Sequence, residues 1–392
     1  HASVTLPLPN GKKTRRGCSP RAAGEPMLAL FLARAACGTT SDGVRAKNTV
    51  VRRFEGVTKP DYHLVEQRDD LFEPDDSAVA VVDMRLLHGG ADDRRRFVKA
   101  LGDSLRTIGF AVLVGHGVDD HLMARAPHEI AAFFTRHSVE TKRRFNAQRR
   151  GSVNQGYFGV AETSNLQPDM VEGWVLCRRA FRLDGEASEA DALWPEPATD
   201  PAFFTSLVSA HLPLVKPLAA AILEYLGTDP HALDTQLTEP AFGLRLNFYP
   251  PCTNADLASG AGRMLGHEDM DLFTLLPAPS SDGLQIRNPV SGKWVRLRPP
   301  PGSIILNVGD YLQRISNDQL PSTTHRVAAP TAHDAALGRT SSPLAIYLRE
   351  NDLLSVLPGL GEPKYADIRA IDFHTGVMAK YYGEAYRQTG SD

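Results

Sequence analysis

His267-Glu-Asp-Met-Asp-Leu-Phe-Thr-Leu-Leu276 joins a His-x-Asp triplet to a short apolar run of strand character. Side chains two positions apart at a strand or turn edge point the same way, so His267 and Asp269 can reach one ion. Glu268, between them, faces the opposite side and is not expected to bind metal. Downstream, His325 lies in Ser322-Thr-Thr-His-Arg-Val327, a β-branched stretch that also reads as strand, and Arg339-Thr-Ser341 follows. Two imidazoles and one carboxylate can occupy one face of an octahedral iron and leave three positions open. That donor set suits a non-haem Fe(II) centre that activates dioxygen. Arg339 and Ser341 could then hold the carboxylate of an organic acid bound beside the metal.

With 13 histidines and 46 acidic residues in 392, a His-x-Asp/Glu triplet arises by chance roughly once or twice. Only His267 has an acid two residues later. The triplet alone is a weak signal, and its strand context carries the reading. Four other histidines read as structural: His116 as a hydrogen-bonded group at a turn, and His121, His128 and His333 as surface groups. Asn307 and Asp310 read as turn formers between strands, Trp294 as core packing, and Cys252 as a buried small apolar group.

A hydrophobic fraction of 42% and a charged fraction of 23% are those of a soluble globular chain. The formal net charge of −3 gives no basis for a nucleic-acid footprint. Cys18, Cys37, Cys177 and Cys252 lack CxxC spacing and suggest neither a disulfide framework nor a zinc site. A reducing compartment, the cytoplasm, is therefore expected. No apolar run reads as long enough to span a bilayer, and a monomer is expected. Residues 1–76 are expected to form a poorly structured leader or extension. In its first fifty residues Lys12, Lys13, Arg15, Arg16, Arg21, Arg34, Arg45 and Lys47 are set against only Glu25 and Asp42. An Arg-rich, acid-poor composition is also that of an organellar transit peptide.

From Ala78 the pattern becomes regular. Ala78 to Asp83 and Phe110 to Val114 read as buried strands. Asp92 to Ile108 carries Phe97, Leu101 and Leu105 at helical spacing, with Gly109 as a stop. Helical segments follow through Phe133, Phe134 and Lys142-Arg-Arg144, and again from Phe203 to Leu226, ended by Gly227. After Phe242 short strands alternate with turn signals at Asn254-Ala-Asp256, Ser281-Asp-Gly283 and Ser291-Gly-Lys293, a pattern of a sandwich or barrel. Ile371 to Arg387 reads as a closing helix.

The ordered series of motifs resembles the isopenicillin N synthase-like branch of the Fe(II)/2-oxoglutarate-dependent oxygenases, from about Ala78 to the C-terminus. The amino-terminal module of that family is echoed by Val81-Val-Asp83, Ile108-Gly-Phe110 running to His116-Gly-Val118, and Phe133-Phe134 followed by Lys142. The catalytic module is matched by Asn247-Phe-Tyr-Pro-Pro-Cys252, His267-Glu-Asp269, Thr274-Leu-Leu276, Gly283-Leu-Gln-Ile286 and Gly292-Lys-Trp294. The match continues through Asn307-Val-Gly-Asp310, Ser316-Asn317, His325-Arg-Val327 and Arg339-Thr-Ser341.

The resemblance implies a mainly β fold with flanking helices, built on a double-stranded β-helix (jelly roll). It divides the body into an amino-terminal helical module (77–240), a catalytic jelly-roll module (241–349) and a C-terminal segment with the closing helix (350–392). It makes His267, Asp269 and His325 the iron ligands. Arg339 and Ser341 become the partners of the distal carboxylate of 2-oxoglutarate, with Tyr249 and Asn247 assisting. Fe(II), 2-oxoglutarate and dioxygen are then the expected reactants. The outcome is hydroxylation, desaturation or cyclisation of a small-molecule substrate, with contacts near Tyr157, Phe158, Met170 and Glu172. The alternative within the same branch is a 2-oxoglutarate-independent oxidase of the isopenicillin N synthase type, acting on a carboxylate-bearing peptide or amino acid.

Overall fold

The computed structural model describes residues 49–54, 57–63, 71–150, 153–160, 162, 169–181, 183, 193–195, 201–253, 256, 262–330 and 335–382. In chain order the strands and α-helices are β1 (Thr49–Phe54), β2 (Val57–His63), β3 (Val81–Asp83), α1 (Ala91–Ile108), β4 (Phe110–Val114), α2 (Asp120–Arg136), α3 (Val139–Arg143), β5 (Gln148–Arg150), β6 (Val153–Phe158) and β7 (Glu172–Cys177). They continue with α4 (Pro201–His211), α5 (Val215–Tyr225), β8 (Ala241–Tyr249), β9 (Met264–His267), β10 (Phe273–Pro277), β11 (Leu284–Arg287) and β12 (Trp294–Arg296). The last are β13 (Ile304–Val308), α6 (Asp310–Ile315), β14 (His325–Val327), β15 (Arg339–Ser341), β16 (Leu344–Tyr347) and α7 (Ala370–Tyr382).

Local chemistry explains the boundaries that matter. Helix α1 begins with Asp92 and Asp93 in its first turn, where carboxylates complement the helix dipole. It buries Phe97, Val98, Leu101, Leu105 and Ile108 along one stripe. Gly109, at φ 73°, ends it in the left-handed region and donates to the Leu105 carbonyl. Strand β4 follows at once, which is why Ile108 and Phe110 both reach the core. The stretch from Phe203 to Leu226 is not one helix: a 3-10 turn at Leu212–Leu214 separates α4 from α5. The span Pro201–Tyr225 has the length and composition of a membrane-crossing helix, contrary to the sequence expectation. Here Phe203, Phe204, Leu207, Val208, Leu218 and Ile222 bury it in the protein core.

Ten strands form one sheet in the order β3-β4-β13-β10-β16-β8-β7-β6-β5, with β15 also paired to β8. A second sheet runs β12-β11-β14-β9. The chain therefore has the expected jelly-roll core with flanking helices. The outer face of the large sheet carries Phe242, Leu244 and Leu246 of β8 into the main hydrophobic core, together with α1, α2, α4 and α5. Between the sheets, Phe110, Val112 and Ile305 meet Leu284, Ile286 and Val295. These apolar groups close one end of the sandwich. The His-x-Asp segment leaves the small sheet at β9 and enters the large sheet at β10.

The sequence division at 240 does not separate sheets. Strand β4 pairs antiparallel with β13, and β7 pairs with β8 over six residues from Glu172↔Phe248 to Cys177↔Gly243. Two findings bear on residues 1–76. Strands β1 and β2 form an antiparallel ribbon, and Phe72 is buried beside Trp294, to whose carbonyl the Glu73 amide donates. The packed body thus starts ahead of residue 77. Trp294 also lies beneath the Arg326 guanidinium, 3.9 Å from its ring centroid.

Candidate metal centre

His267 ends β9 in the small sheet, and the chain then crosses to β10 in the large one. Asp269 lies in that crossing. His325 starts β14 and stands opposite His267 in the β14–β9 pair. Their rings are 4.3 Å apart between centroids. Asp269 Oδ1 lies 3.6 Å from His267 Nε2 and 3.8 Å from His325 Nε2. All three ligand atoms fall within 4.8 Å of one another, close enough to hold one metal ion.

Each ligand is oriented from behind. His267 Nδ1 is 2.8 Å from the Leu265 carbonyl and His325 Nδ1 is 3.2 Å from the Thr323 carbonyl. A proton on each Nδ1 leaves the Nε2 lone pairs facing the centre, the usual arrangement behind ligating imidazoles. Asp269 Oδ2 accepts from Thr274 Oγ1 at 2.7 Å and from Asn307 Nδ2 at 2.9 Å, so Oδ1 is left for the ion. Burial pushes the Asp269 carboxyl up, but the two imidazoles and these hydrogen bonds outweigh it and hold it below the usual range. The Phe110 ring meets His325 edge-on at 5.4 Å and walls the centre from the apolar end.

Behind Asp269 stands a second carboxyl. Thr274 Oγ1 lies 2.5 Å from Asp271 Oδ2 as well as 2.7 Å from Asp269 Oδ2. One hydroxyl proton can serve only one acceptor. Burial, reinforced by the charge of Asp269, pushes Asp271 well above the ordinary carboxylate range. The Thr274 hydroxyl therefore donates to one of the two carboxylates at a time. Glu268 faces away as expected: it accepts from the Thr324 hydroxyl, and burial, with Asp310 nearby, pushes it up to about 8.

The co-substrate candidates meet across one strand pair. In β15–β8, Arg339 stands opposite Tyr249 and Ser341 opposite Asn247. The Arg339 guanidinium lies 4.9 Å from the Tyr249 ring centroid. It is 1% exposed, its Nε donates to the Ser281 carbonyl at 3.3 Å, and its Nη1 is sealed without a hydrogen-bond partner among the described residues. A buried cation with an open donor is costly unless an anion completes it. Ser341 Oγ accepts from Asn247 Nδ2 at 3.2 Å, which leaves its own proton free to donate. These groups fit a carboxylate, and the triad fits Fe(II).

The substrate candidates divide by face. On β8, Gly243, Arg245, Asn247 and Tyr249 alternate with the core residues and so face the other sheet. Tyr249 packs there with Val171, Val327 and Met264. Phe158 pairs with Gly173, which pairs with Asn247, so Phe158 shares this inner face. Met170 lies beside β9, its amide donating to the Gly262 carbonyl. Tyr157 and Glu172 lie on the opposite face, contrary to expectation. Tyr157 pairs with Trp174 and joins the main core, and Glu172 pairs with Phe248 and binds Lys142 Nζ at 2.6 Å.

Other residues read as structural are also placed. His116 Nε2 contacts the Gly302 carbonyl at 2.9 Å, as a turn histidine. His121 and His128 are exposed, and His333 lies outside the described residues. Cys252 is half-buried. Asn307 is not a turn former: it sits inside β13 and its amide clamps Asp269. The sequence carried a signal for this role, a lone amide in the otherwise apolar Ile304-Ile-Leu-Asn-Val308. A buried strand keeps such a group only when it has a partner.

Comparison with known proteins matches residues 241–346 to the 2OG-Fe(II) oxygenase superfamily and residues 79–197 to the non-haem dioxygenase in morphine synthesis N-terminal family. The 2-oxoglutarate-dependent dioxygenase 11 of Oryza sativa subsp. japonica is 30% identical over 315 residues, covering 78% of this chain and 82% of the relative. Feruloyl CoA ortho-hydroxylase 2 of Arabidopsis thaliana is 28% identical over 310 residues, covering 77% and 79%. Among solved structures, a 2OG-Fe(II) oxygenase family protein from Caulobacter crescentus has a TM-score of 0.64 at 27% identity, covering 78% of this chain and 99% of that one. A Neurospora crassa protein crystallised at full length with alpha-KG and thymine shares the fold with a TM-score of 0.68 at 22% identity, covering 80% and 99%.

Proposed function

The chain belongs to the 2OG-Fe(II) oxygenase superfamily and couples 2-oxoglutarate decarboxylation to oxidation of a small organic substrate; from that premise we propose how its residues divide the work. Its reactants include Fe(II), 2-oxoglutarate and dioxygen, so the 2-oxoglutarate-independent oxidase is not retained. His267, Asp269 and His325 hold the iron. Arg339 and Ser341, assisted by Tyr249 and Asn247, hold the distal carboxylate of 2-oxoglutarate. The observation that carries this assignment is the β15–β8 register, which sets all four groups as two facing pairs.

Bound Fe(II), supplied with 2-oxoglutarate and dioxygen, provides the oxidising power that breaks a substrate C–H bond. The chain's own residues position and insulate. The backbone carbonyls of Leu265 and Thr323 fix the two imidazoles, and Asn307 and Thr274 fix the carboxylate. Val171, Val327, Met264 and Tyr249 form an apolar wall that limits water beside the co-substrate. Phe158 and Met170 supply substrate contacts from the amino-terminal module. Hydroxylation is the outcome we favour, a reading that the ortho-hydroxylase among the relatives supports.

Cys177 and Cys252 are free, which supports a reducing compartment such as the cytoplasm. One chain supplies both the triad and the carboxylate-binding groups, which supports a monomer. The test is an anaerobic titration of the Fe(II)-loaded protein with 2-oxoglutarate, following the visible charge-transfer band of the chelate. A saturable band that Arg339→Ala weakens by about two orders of magnitude is expected for loss of a buried, bidentate charge-assisted contact. Iron binding without any band would overturn the assignment.

A further inference from the structure

Strand β9 carries one residue more than its partner can pair. His267 stands opposite His325 and Met264 opposite Val327, so Leu265 and Gly266 together face the single residue Arg326. Such a bulge leaves a residue outside the ladder and re-aims the side chains beside it. Among the described residues β9 is also the terminal strand of the small sheet. The Leu265 amide goes instead to Asp169, whose Oδ1 accepts it at 2.9 Å. Both residues are buried. The Leu265 carbonyl is the group that holds His267 Nδ1, at 2.8 Å. One bulge residue therefore has its amide on Asp169 and its carbonyl on an iron ligand.

Asp169 reaches β9 from the other side of the sandwich. Its segment runs directly into β7 of the large sheet. The neighbouring Met170 adds a second tie, from its amide to the Gly262 carbonyl at 3.1 Å. Val171, next in line, is buried with Tyr249 of β8, Met264 of β9 and Val327 of β14. Residues 169–171 thus fasten the sheet of Arg339, Ser341 and Tyr249 to the strands of His267 and His325.

A 2-oxo acid held by iron at one end and by Arg339 at the other has to match the distance between those two sheets. Resting on the oxygenase reading, we propose that Asp169 is a positioning residue that fixes His267 and, with it, this distance. It thereby sets the length of 2-oxo acid that the site accepts. A carboxylate buried against a bulge amide holds the strand in one place, because a displaced strand leaves both groups desolvated and unpaired. A rigid span favours one chain length, and a loosened span tolerates a methylene more or less.

The test uses the full chain under anaerobic conditions, as wild type and as Asp169→Ala, Asp169→Asn and Asp169→Glu. Fe(II) affinity is measured first, by metal titration without any 2-oxo acid. Oxaloacetate, 2-oxoglutarate and 2-oxoadipate, which differ by one methylene each, are then titrated through the chelate band. In a fitted site one methylene is worth roughly tenfold or more, so wild type is expected to prefer 2-oxoglutarate by at least that factor. Asp169→Ala should lower Fe(II) affinity by about tenfold or more and erase most of the preference. Asp169→Asn, which keeps an acceptor oxygen in place, should retain both. Asp169→Glu, which pushes the acceptor out by a methylene, should lose both, and it stands in for alanine if that variant does not fold. A wild-type preference that survives in the folded Ala and Glu variants would overturn the proposal, as would an Asn variant no better than Ala. No chelate band in wild type with any of the acids would sink the co-substrate assignment. The iron titration would then still decide whether Asp169 positions His267, and equal affinities in wild type, Ala and Glu would overturn that as well.

Discussion

Asn307 donates to Asp269 at 2.9 Å from the middle of β13, a strand that meets β10 on one side and β4 on the other. The amide leaves only one carboxylate oxygen, Oδ1, turned toward His267 and His325. Asn307→Ala is therefore expected to lower Fe(II) affinity by roughly 10–100-fold, the usual effect of removing a group that orients a ligand. Metal titration of the stripped protein reads this directly. Unchanged affinity would show that Thr274 alone suffices.

Ser341 and Arg339 are expected to differ in weight. Ser341→Ala removes one hydroxyl donor and should weaken 2-oxoglutarate binding by about tenfold, from a hydrogen bond worth about 1–1.5 kcal/mol. The loss at Arg339 should be far larger. Comparable losses in the two variants, measured by the anaerobic titration, would contradict the division of roles.

Lys142 and Glu172 form an ion pair with side chains 5% and 16% exposed. Lys142 also donates to the Phe134 carbonyl at 3.2 Å. Glu172→Gln strands a buried ammonium and should cost about 3–5 kcal/mol of stability. Denaturant unfolding measures the loss, while 2-oxoglutarate affinity should be preserved. A variant as stable as wild type but impaired in substrate binding would return Glu172 to the cavity.

Gly109 closes α1 at φ 73°, and a Cβ there would meet the Pro321 carbonyl and Thr323 Oγ1, each at 2.5 Å. Gly109→Ala is expected to destabilise by about 2 kcal/mol or more, since the left-handed backbone and the clash both act against it. Thr323 carries the carbonyl that orients His325, so iron affinity should fall as well. A stability loss with intact iron affinity would show that the Pro321–Thr323 segment yields without moving the ligand.

Much of this was legible in the sequence because the informative residues lie at short spacings with a fixed directional meaning. His267 and Asp269, and Arg339 and Ser341, are each two apart, and two-residue spacing on extended chain means one side. Tyr157, Phe158 and Glu172 were less tractable. Adjacent strand residues face opposite ways, so only the register of β6, β7 and β8 decides which of them looks inward. That register keeps Phe158 on the inner face and turns Tyr157 into the core. Asn307 was missed because asparagine is so common in turns, although its apolar neighbours argued for a strand.

Strand β13 has a further consequence. It holds the asparagine that steadies the iron carboxylate, and one of its two edges is covered by β4, a strand from well before the catalytic segment. A fragment beginning at residue 241 would present that edge bare, a template for pairing with other chains. The oxygenase core of this protein is therefore not a transplantable cassette: grafting it onto another scaffold, or splitting the gene at residue 240, should yield aggregate unless the strands from Phe110 to Val114 and from Glu172 to Cys177 travel with it.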